Sequence, residues 1–262
     1  MSVELLVATF NENDYFDLCN RLNIRTNAVV INQVDRYAFN TMDYNGNEVK
    51  IFECSDRGSG NSRSTALLHA TADYCLISDD DMRYVDNYEA VVNEVFEQYP
   101  KADMIVFNLE GEGRITKKPF RVRWYNFMRF GTAKLGFRRE SVIKNGIYFN
   151  SVFGAGAPNG SGEDTLFLSD CLKKGLRIVA VPVTIAKLLN TRESTWFDGY
   201  TETFLKNKGK LFACMSRRFS PFICFLILLK NKRFSSGRGF FEAYRLMLQG
   251  IREFKSNKGD VK

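Results

Sequence analysis

The sequence predicts an α/β fold: a mostly parallel central sheet flanked by helices, followed by a basic helical appendage at the C-terminus. Three observations carry this expectation. Short apolar runs alternate with helical patterns over the first hundred residues, the sign of a parallel sheet covered by helices. With 45% hydrophobic and 14% aromatic residues, a chain of 262 residues can bury a sizeable core, which excludes a disordered protein. Charge is also segregated: residues 1–205 hold 23 Lys/Arg against 27 Asp/Glu, whereas residues 206–262 hold 14 against 3. A mildly acidic body (1–205) and a basic segment (206–262) are the units expected, and the net charge of +7 belongs to the second.

The strands are read from "VELLVATF" (3–10), "NAVVIN" (27–32), "VKIFEC" (49–54), "YCLIS" (74–78) and "DMIVFNL" (103–109), all rich in β-branched and apolar residues. Between them "SRSTALLHATA" (62–72) reads as a helix with Ser62 as N-cap. In "VDNYEAVVNEVFEQYP" (85–100), Tyr88, Val91, Val92, Val95, Phe96 and Tyr99 make a helical stripe that Pro100 stops. After Gly111 aromatic and basic residues interleave from Arg114 to Ser141, which predicts a hairpin or insert over the sheet. "EDTLFLSDCLKKG" (163–175) resumes a helix ending at Gly175, and "LRIVAVPVTIAKLL" (176–189) supplies further strands. The six cysteines are scattered without a CxxC pair, and Cys75 and Cys171 fall on apolar faces, so reduced thiols in a cytosolic setting are expected. The opening residues lack a basic region followed by a long apolar stretch, so no signal peptide is expected.

The chemistry concentrates at Asp79, Asp80 and Asp81, three adjacent carboxylates at the end of the apolar run 74–78. In open α/β sheets, ligands bind beyond the carboxyl ends of the strands, and hard cations such as Mg²⁺ or Mn²⁺ prefer oxygen ligands beside phosphates. Alone, the triplet reads equally as a solvated acidic cap on the helix that follows. Thr9, Asn11 and Glu12 would stand at the same sheet edge. "DRGSGNSRSTA" (56–66) offers backbone N–H groups and Arg63 to a phosphate, or is a plain turn. "FGAGAPNGSGEDTLF" (153–167) ends in Glu163 and Asp164, either aimed into a pocket or simply favourable acids at a helix start.

In this order the motifs resemble the family-2 nucleotide-sugar glycosyltransferases of GT-A fold, over about residues 3 to 196. "VATFNE" is similar to the family's opening strand and turn, with Ala8 where proline is usual; "GSGNSRSTALLHATADYCLISDDD" resembles its segment running into the D-x-D strand; "NGSGEDTLFLSDCLKKG" resembles its later E-D helix. The resemblance implies inverting, metal-assisted hexosyl transfer from a nucleotide-diphosphate sugar, with a UDP-sugar as the expected donor, to an acceptor hydroxyl. Asp81, with Asp79, would hold Mn²⁺ or Mg²⁺ on the diphosphate; Asp79 would also face the nucleotide, with Asp80 between them pointing away. Thr9, Asn11, Glu12 and Arg63 would contact the nucleotide, and Asn32 would stand in for the usual acidic contact to the base. Asp164 would be the base, Glu163 its neighbour and orienter, and Trp196 an acceptor contact. His69, the only histidine, precedes the D-x-D segment and is expected to pack rather than bind metal.

In the basic segment, Phe222 to Leu229 are apolar and lie between Arg217, Arg218 and Lys230, Lys232, Arg233. This run is too short to cross a bilayer, which needs about 20 residues, and suits the surface of an anionic membrane, the alternative being a helix packed on the body with its charges solvated. A cytoplasmic protein held peripherally on the inner membrane face, acting on a lipid-linked or other saccharide acceptor in polysaccharide biosynthesis, is the resulting expectation. A non-catalytic phosphate- or nucleic-acid-binding module and a sugar-phosphate nucleotidyltransferase are the rivals. Against nucleic acid as a partner, the basic residues carry no recognition motif and the acidic triplet would repel a backbone.

Overall fold

Buried apolar runs form the centre of the sheet, and polar or glycine-containing segments that sequence periodicity does not reveal complete it. The computed structural model describes residues 1–189, 199–235 and 237–257. Its first half runs β1 (Val3–Phe10), α1 (Tyr15–Leu22), β2 (Asn27–Gln33), β3 (Ala38–Tyr44), β4 (Asn47–Cys54), α2 (Ser59–His69), β5 (Tyr74–Asp79), β6 (Met82–Tyr84), α3 (Tyr88–Gln98) and β7 (Met104–Glu110). The second half runs β8 (Phe120–Arg121), β9 (Leu135–Arg138), α4 (Arg139–Ile143), α5 (Glu163–Lys173), β10 (Ile178–Leu188), α6 (Glu202–Met215), α7 (Ser220–Lys230) and α8 (Phe240–Asn257).

The sheet order is β3-β4-β2-β1-β5-β9-β7-β10-β6, with β8 pairing onto β10. β4, β2, β1 and β5 are parallel neighbours, as are β7 and β10. β9 runs antiparallel between β5 and β7 and joins the two halves. Alternate residues face opposite layers, as a pleated strand requires. Leu6, Ile77 and Val106 enter the core shared with α2, α5 and the C-terminal helices, while Leu5, Leu76 and Ile105 face α1 and α3.

Four expectations change. The helix expected from Ser62 begins at Ser59, so Ser62 is buried inside it rather than capping it. A Cβ on Gly60 would lie 2.1 Å from the Asn150 carbonyl oxygen, so only glycine lets this first turn approach the 150s loop. Segment 114–141 is not a hairpin lying over the sheet, because its β9 is built into the sheet and its β8 pairs at β10. Residues 176–189 form one strand, β10, with register irregularities around Pro182.

The basic segment is also part of the body. The expected boundary at 205/206 falls inside α6, and Leu205, Leu211, Phe212, Cys224, Leu228, Met247 and Ile251 share one core with Leu6, Ile77 and Phe167. α6 and α8 cross so closely that a Cβ on Gly209 would meet the Met247 carbonyl oxygen at 2.0 Å, and one on Gly250 the Lys206 carbonyl oxygen at 2.0 Å.

Candidate functional site

Beyond the carboxyl ends of β1 and β5, the motifs of the acidic triplet, the α2 turn and the α5 N-terminus converge on one side chain, Arg63. It stands in α2, is buried, and donates to Asp79 Oδ1 at the end of β5 (2.7 Å) and to Glu163 Oε1 at the start of α5 (2.7 Å). Ser59 Oγ also donates to Glu163 Oε1 (2.8 Å), and the Gly162 N–H donates to Oε2 (3.1 Å). Burial opposes the charge on Arg63, but Asp79 and Glu163 outweigh it and its pKa moves up.

Glu163 and Asp164 are adjacent carboxylates driven in opposite directions. Burial pushes Glu163 up, yet Arg63, Ser59 and the Gly162 N–H outweigh burial and hold it below the ordinary carboxylate range. Asp164 is raised, first by burial and then by the negative charge of Glu163; the Thr165 N–H (2.6 Å), Arg63 and Lys208 only partly offset this. The Asp164 side chain stays partly accessible, and a Cβ on Gly131 would lie 3.9 Å from its Oδ2. A residue without a side chain thus leaves room beside that oxygen. Paired titratable groups whose environments split them are the pattern that separates an acid/base group from its fixed neighbour.

At β1, Thr9 Oγ1 donates to Asp80 Oδ2 (2.7 Å), so Asp80 turns toward this strand rather than pointing away. The Leu189 N–H donates to the Asp81 carbonyl oxygen (2.7 Å), which brings the end of β10 against the triplet. Asn11 is exposed and adopts a left-handed backbone (φ 52°) at the lip of the edge. Glu12 is ion-paired with Arg21, which also bonds Asp17 (2.7 Å), and its Oε1 accepts from the Asn13 and Asp14 N–H groups.

Asn32 has a different place from the one expected. It is completely buried, its Oδ1 accepts from the Glu12 N–H (3.1 Å), and its Nδ2 donates to the Glu12 carbonyl oxygen (2.8 Å) and to Tyr15 Oη (2.7 Å). With its amide already bonded, Asn32 fixes the β1–α1 turn instead of offering itself to a base. Trp196 lies outside the described residues, and His69 stacks on Phe52 (4.1 Å between centroids) away from the carboxylates.

Sequence reasoning missed Ser59, Lys208 and Gln33, whose Oε1 accepts from the Gly58 N–H (3.0 Å). Ser59 lies within the glycine-rich stretch 56–66 and Gln33 directly after the run 27–32, but nothing local marks them as the residues that orient Glu163 and the α2 turn. A separate open groove of about 630 Å³ lies beside β3 and β4, lined by Tyr37, Phe52, Glu53, Asp56, Asn61 and Thr65. None of the converging carboxylates lines it.

The donor set of the triplet is oxygen only, which fits a hard cation such as Mg²⁺ or Mn²⁺. Among the described residues no group of three or more His, Cys, Asp or Glu surrounds a common point. The fit is therefore to an ion held by one or two carboxylates together with phosphates brought by a ligand.

No protein-family model matches the chain, and no curated protein matches it in sequence. Solved structures do match in fold. Residues 1–349 of Staphylococcus aureus TarS, solved in complex with UDP-GlcNAc, superpose with a TM-score of 0.68 at 16% identity, covering 97% of this chain and 80% of that one. The same protein in complex with UDP gives 0.62 at 17% identity, covering 91% and 73%. The mannosyltransferase PcManGT of Pyrobaculum calidifontis, in complex with GDP-Man and Mn²⁺, gives 0.52 at 14% identity, covering 99% and 75%. The expected GT-A-type architecture is the one observed.

Proposed function

We propose that the protein is an inverting glycosyltransferase that moves a sugar from a nucleotide-diphosphate donor, with a UDP-sugar as first candidate, to an acceptor hydroxyl. The observation that carries this reading is the Asp79–Arg63–Glu163 bridge, with Asp164 beside it at the sheet's carboxyl edge. The UDP-GlcNAc, UDP and GDP-Man complexes of the structural neighbours support a nucleotide-sugar ligand for this fold.

In this mechanism Thr9, Asn11 and Glu12 form the nucleotide side of the cleft, and Asp80, fixed by Thr9, shapes its floor. Asp81 and the second oxygen of Asp79 would hold a divalent cation, which would supply Lewis-acid stabilisation to the leaving diphosphate. Arg63 keeps Glu163 ionised and holds both Asp79 and Glu163 in place. Glu163, locked by Ser59 and Gly162, orients the start of α5 so that Asp164 faces the acceptor. Asp164 takes the acceptor proton late, as the hydroxyl oxygen bonds the anomeric carbon and the bond from that carbon to the phosphate oxygen breaks. The sugar inverts, the nucleoside diphosphate leaves, and the proton stays on Asp164 until solvent removes it.

A thermal-shift and product-release screen of UDP-, GDP- and other sugar nucleotides, each with and without Mn²⁺, tests the reading. The expected result is stabilisation by one donor, stronger with Mn²⁺, and slow release of its nucleoside diphosphate. If no donor stabilises or turns over, the glycosyltransferase reading fails.

The acceptor proposed is a saccharide carried at an anionic membrane. Among the described residues no helix is long and apolar enough to cross a membrane. α7 buries Cys224 and Leu228 but leaves Phe222 (60%), Leu226 and Leu229 exposed, and Phe219 just before it and Phe241 at the start of α8 are exposed as well. Arg217, Arg218, Lys230, Lys232 and Arg233 stand at both ends of this apolar face, the combination that suits an anionic headgroup layer on the cytoplasmic side. Phosphatidylglycerol vesicles should float the protein, and neutral vesicles should not. Phe222→Asp with Leu229→Asp should abolish flotation while leaving the melting temperature nearly unchanged.

A further inference from the structure

Lys134 and Glu112 form an ion pair that the mechanism above does not use. Lys134 ends the short turn (Thr132–Lys134) that leads into β9. β9 runs antiparallel between β5 and β7, with Gly136 opposite Leu76 and Leu135 opposite Val106, so its beginning stands at the carboxyl ends of both strands. Lys134 is thereby placed between the strand that ends in Asp79 and the strand that leads to Glu112. Its side chain is 6% exposed, and its ammonium lies 5.7 Å from the Phe130 ring centroid. Contacts on either side tie the pair to both halves of the site. A Cβ on Gly111 would lie 3.5 Å from Leu188 Cβ, and the next residue, Leu189, donates its N–H to the Asp81 carbonyl oxygen (2.7 Å). On the other side, a Cβ on Gly131 would lie 3.9 Å from Asp164 Oδ2. The loop that carries Glu112 is pinned to β7, because Asn108 Nδ2 donates to the Thr116 carbonyl oxygen (2.9 Å) and Asn108 Oδ1 accepts from the Thr116 N–H (2.8 Å).

We infer that Glu112, fixed by Lys134, reads a hydroxyl of the transferred sugar. The inference rests on the proposed transfer, in which the diphosphate leaves at the Asp79–Asp81 end and the acceptor gives its proton to Asp164. The anomeric carbon must lie between those two ends, so the sugar ring passes the segment where Glu112 and Lys134 meet. Oε2 of Glu112 takes the lysine, whereas Oε1 accepts from no group among the described residues, and the side chain is 31% exposed. An ammonium carries three N–H donors, so Lys134 has donors beyond the one given to Glu112. The pair offers an acceptor and a donor side by side with no net charge. A sugar hydroxyl is both donor and acceptor and matches it; another phosphate would be repelled by Glu112, and another cation by Lys134. Lys134 is the positioning residue here. Separating the pair would leave its ammonium buried without a counter-charge, so the two side chains stay together.

The test is calorimetric titration of the full chain with the sugar nucleotide identified in the screen and, separately, with its free nucleoside diphosphate, both in Mn²⁺. A carboxylate that reads the sugar contributes to the first affinity and not to the second. Glu112→Gln should weaken sugar-nucleotide binding by about tenfold, the weight of a hydrogen bond to a charged group, and leave nucleoside-diphosphate affinity within about twofold of wild type. Lys134→Met should act in the same direction, because the carboxylate is then no longer held. Glu112→Gln combined with Lys134→Met strands no charge in the fold and provides the reading if either single variant folds poorly. A pair that served packing alone would change both affinities together or only the melting temperature. Either of those results in a folded variant overturns the inference while leaving the transferase reading intact. A wild-type chain that binds no sugar nucleotide is the distinct outcome in which the functional reading fails and takes the inference with it.

Discussion

Arg63→Met is expected to be the most damaging single substitution in the protein. It removes one guanidinium and strands two carboxylates, Asp79 and Glu163, each 2.7 Å from the lost nitrogens. Deleting one partner of a buried ion pair costs about 3–5 kcal/mol, because the remaining charge stays out of water. Asp79 is partly exposed and can rehydrate, so most of the loss falls on Glu163, whose side chain is 11% exposed. Urea or thermal unfolding should show this loss, a drop of roughly 10 °C for a chain of this size. Glu163→Gln in the same protein should recover part of it, because the stranded charge is then gone. Two independent losses that simply add would show that the bridge is not a unit. The bridge also sets an acid limit. Glu163 lies below its ordinary 4.5 in the folded state, so its contribution is present above that pH and is lost as the pH falls through the folded value. Glu163→Gln should therefore flatten the decline in stability of the wild-type protein below about pH 4.5.

What could be read from the sequence follows from how local each signal is. β1, β2, β5 and β7 are buried along most of their length, so each appears as a largely apolar run that needs no tertiary context, while β4 buries alternate residues and shows in Val49, Ile51 and Phe52. β3 was missed because it is a polar edge strand, although Asn45-Gly46 forms a two-residue turn with both residues left-handed (φ 54° and 80°) and announces a hairpin. α1 was missed because it has only eight residues, although Asp14 caps it by accepting from the Asp17 N–H (2.9 Å). β9 could not be read locally. It is four residues long and contains Gly136, where a Cβ would lie 2.8 Å from Leu76 and 2.9 Å from Phe107, so the glycine belongs to close packing between two strands.

The site shows the same division. The D-x-D and E-D segments could be recognised by residue type and order, but their junction at Arg63 joins positions 16 and 100 residues away from it. Asn32 misled because an amide at a strand end looks available until its three bonds are seen. Lys208 carried no local mark at all: tertiary packing brings α6 against the α5 loop, where Gly162 lies under Leu211 and Gly160 faces Asn207. The same folding gives the basic segment two faces, one inside the core and one with exposed phenylalanines, a division that composition alone does not reveal.

Asp164→Asn separates chemistry from folding and from donor binding. Asparagine has nearly the same shape and cannot accept the acceptor's proton, so turnover should fall by about 10²–10⁴-fold, the usual weight of a general base. Stability should barely move, for a reason specific to this corner. The substitution removes the repulsion between Asp164 and Glu163, which favours the fold, and removes the attraction of Asp164 for Arg63 and Lys208, which opposes it. These changes offset each other, so the melting temperature should stay within a few degrees of wild type, in contrast to Arg63→Met. Donor affinity should also persist, because Thr9, Asp80, Asp81 and the Arg63 bridge are untouched, and calorimetric titration with the donor identified in the screen can check it. A variant that binds donor, melts normally and does not turn over assigns Asp164 to the proton transfer. Full turnover would move the base elsewhere on the cleft, and a collapse in stability would make Asp164 a packing residue.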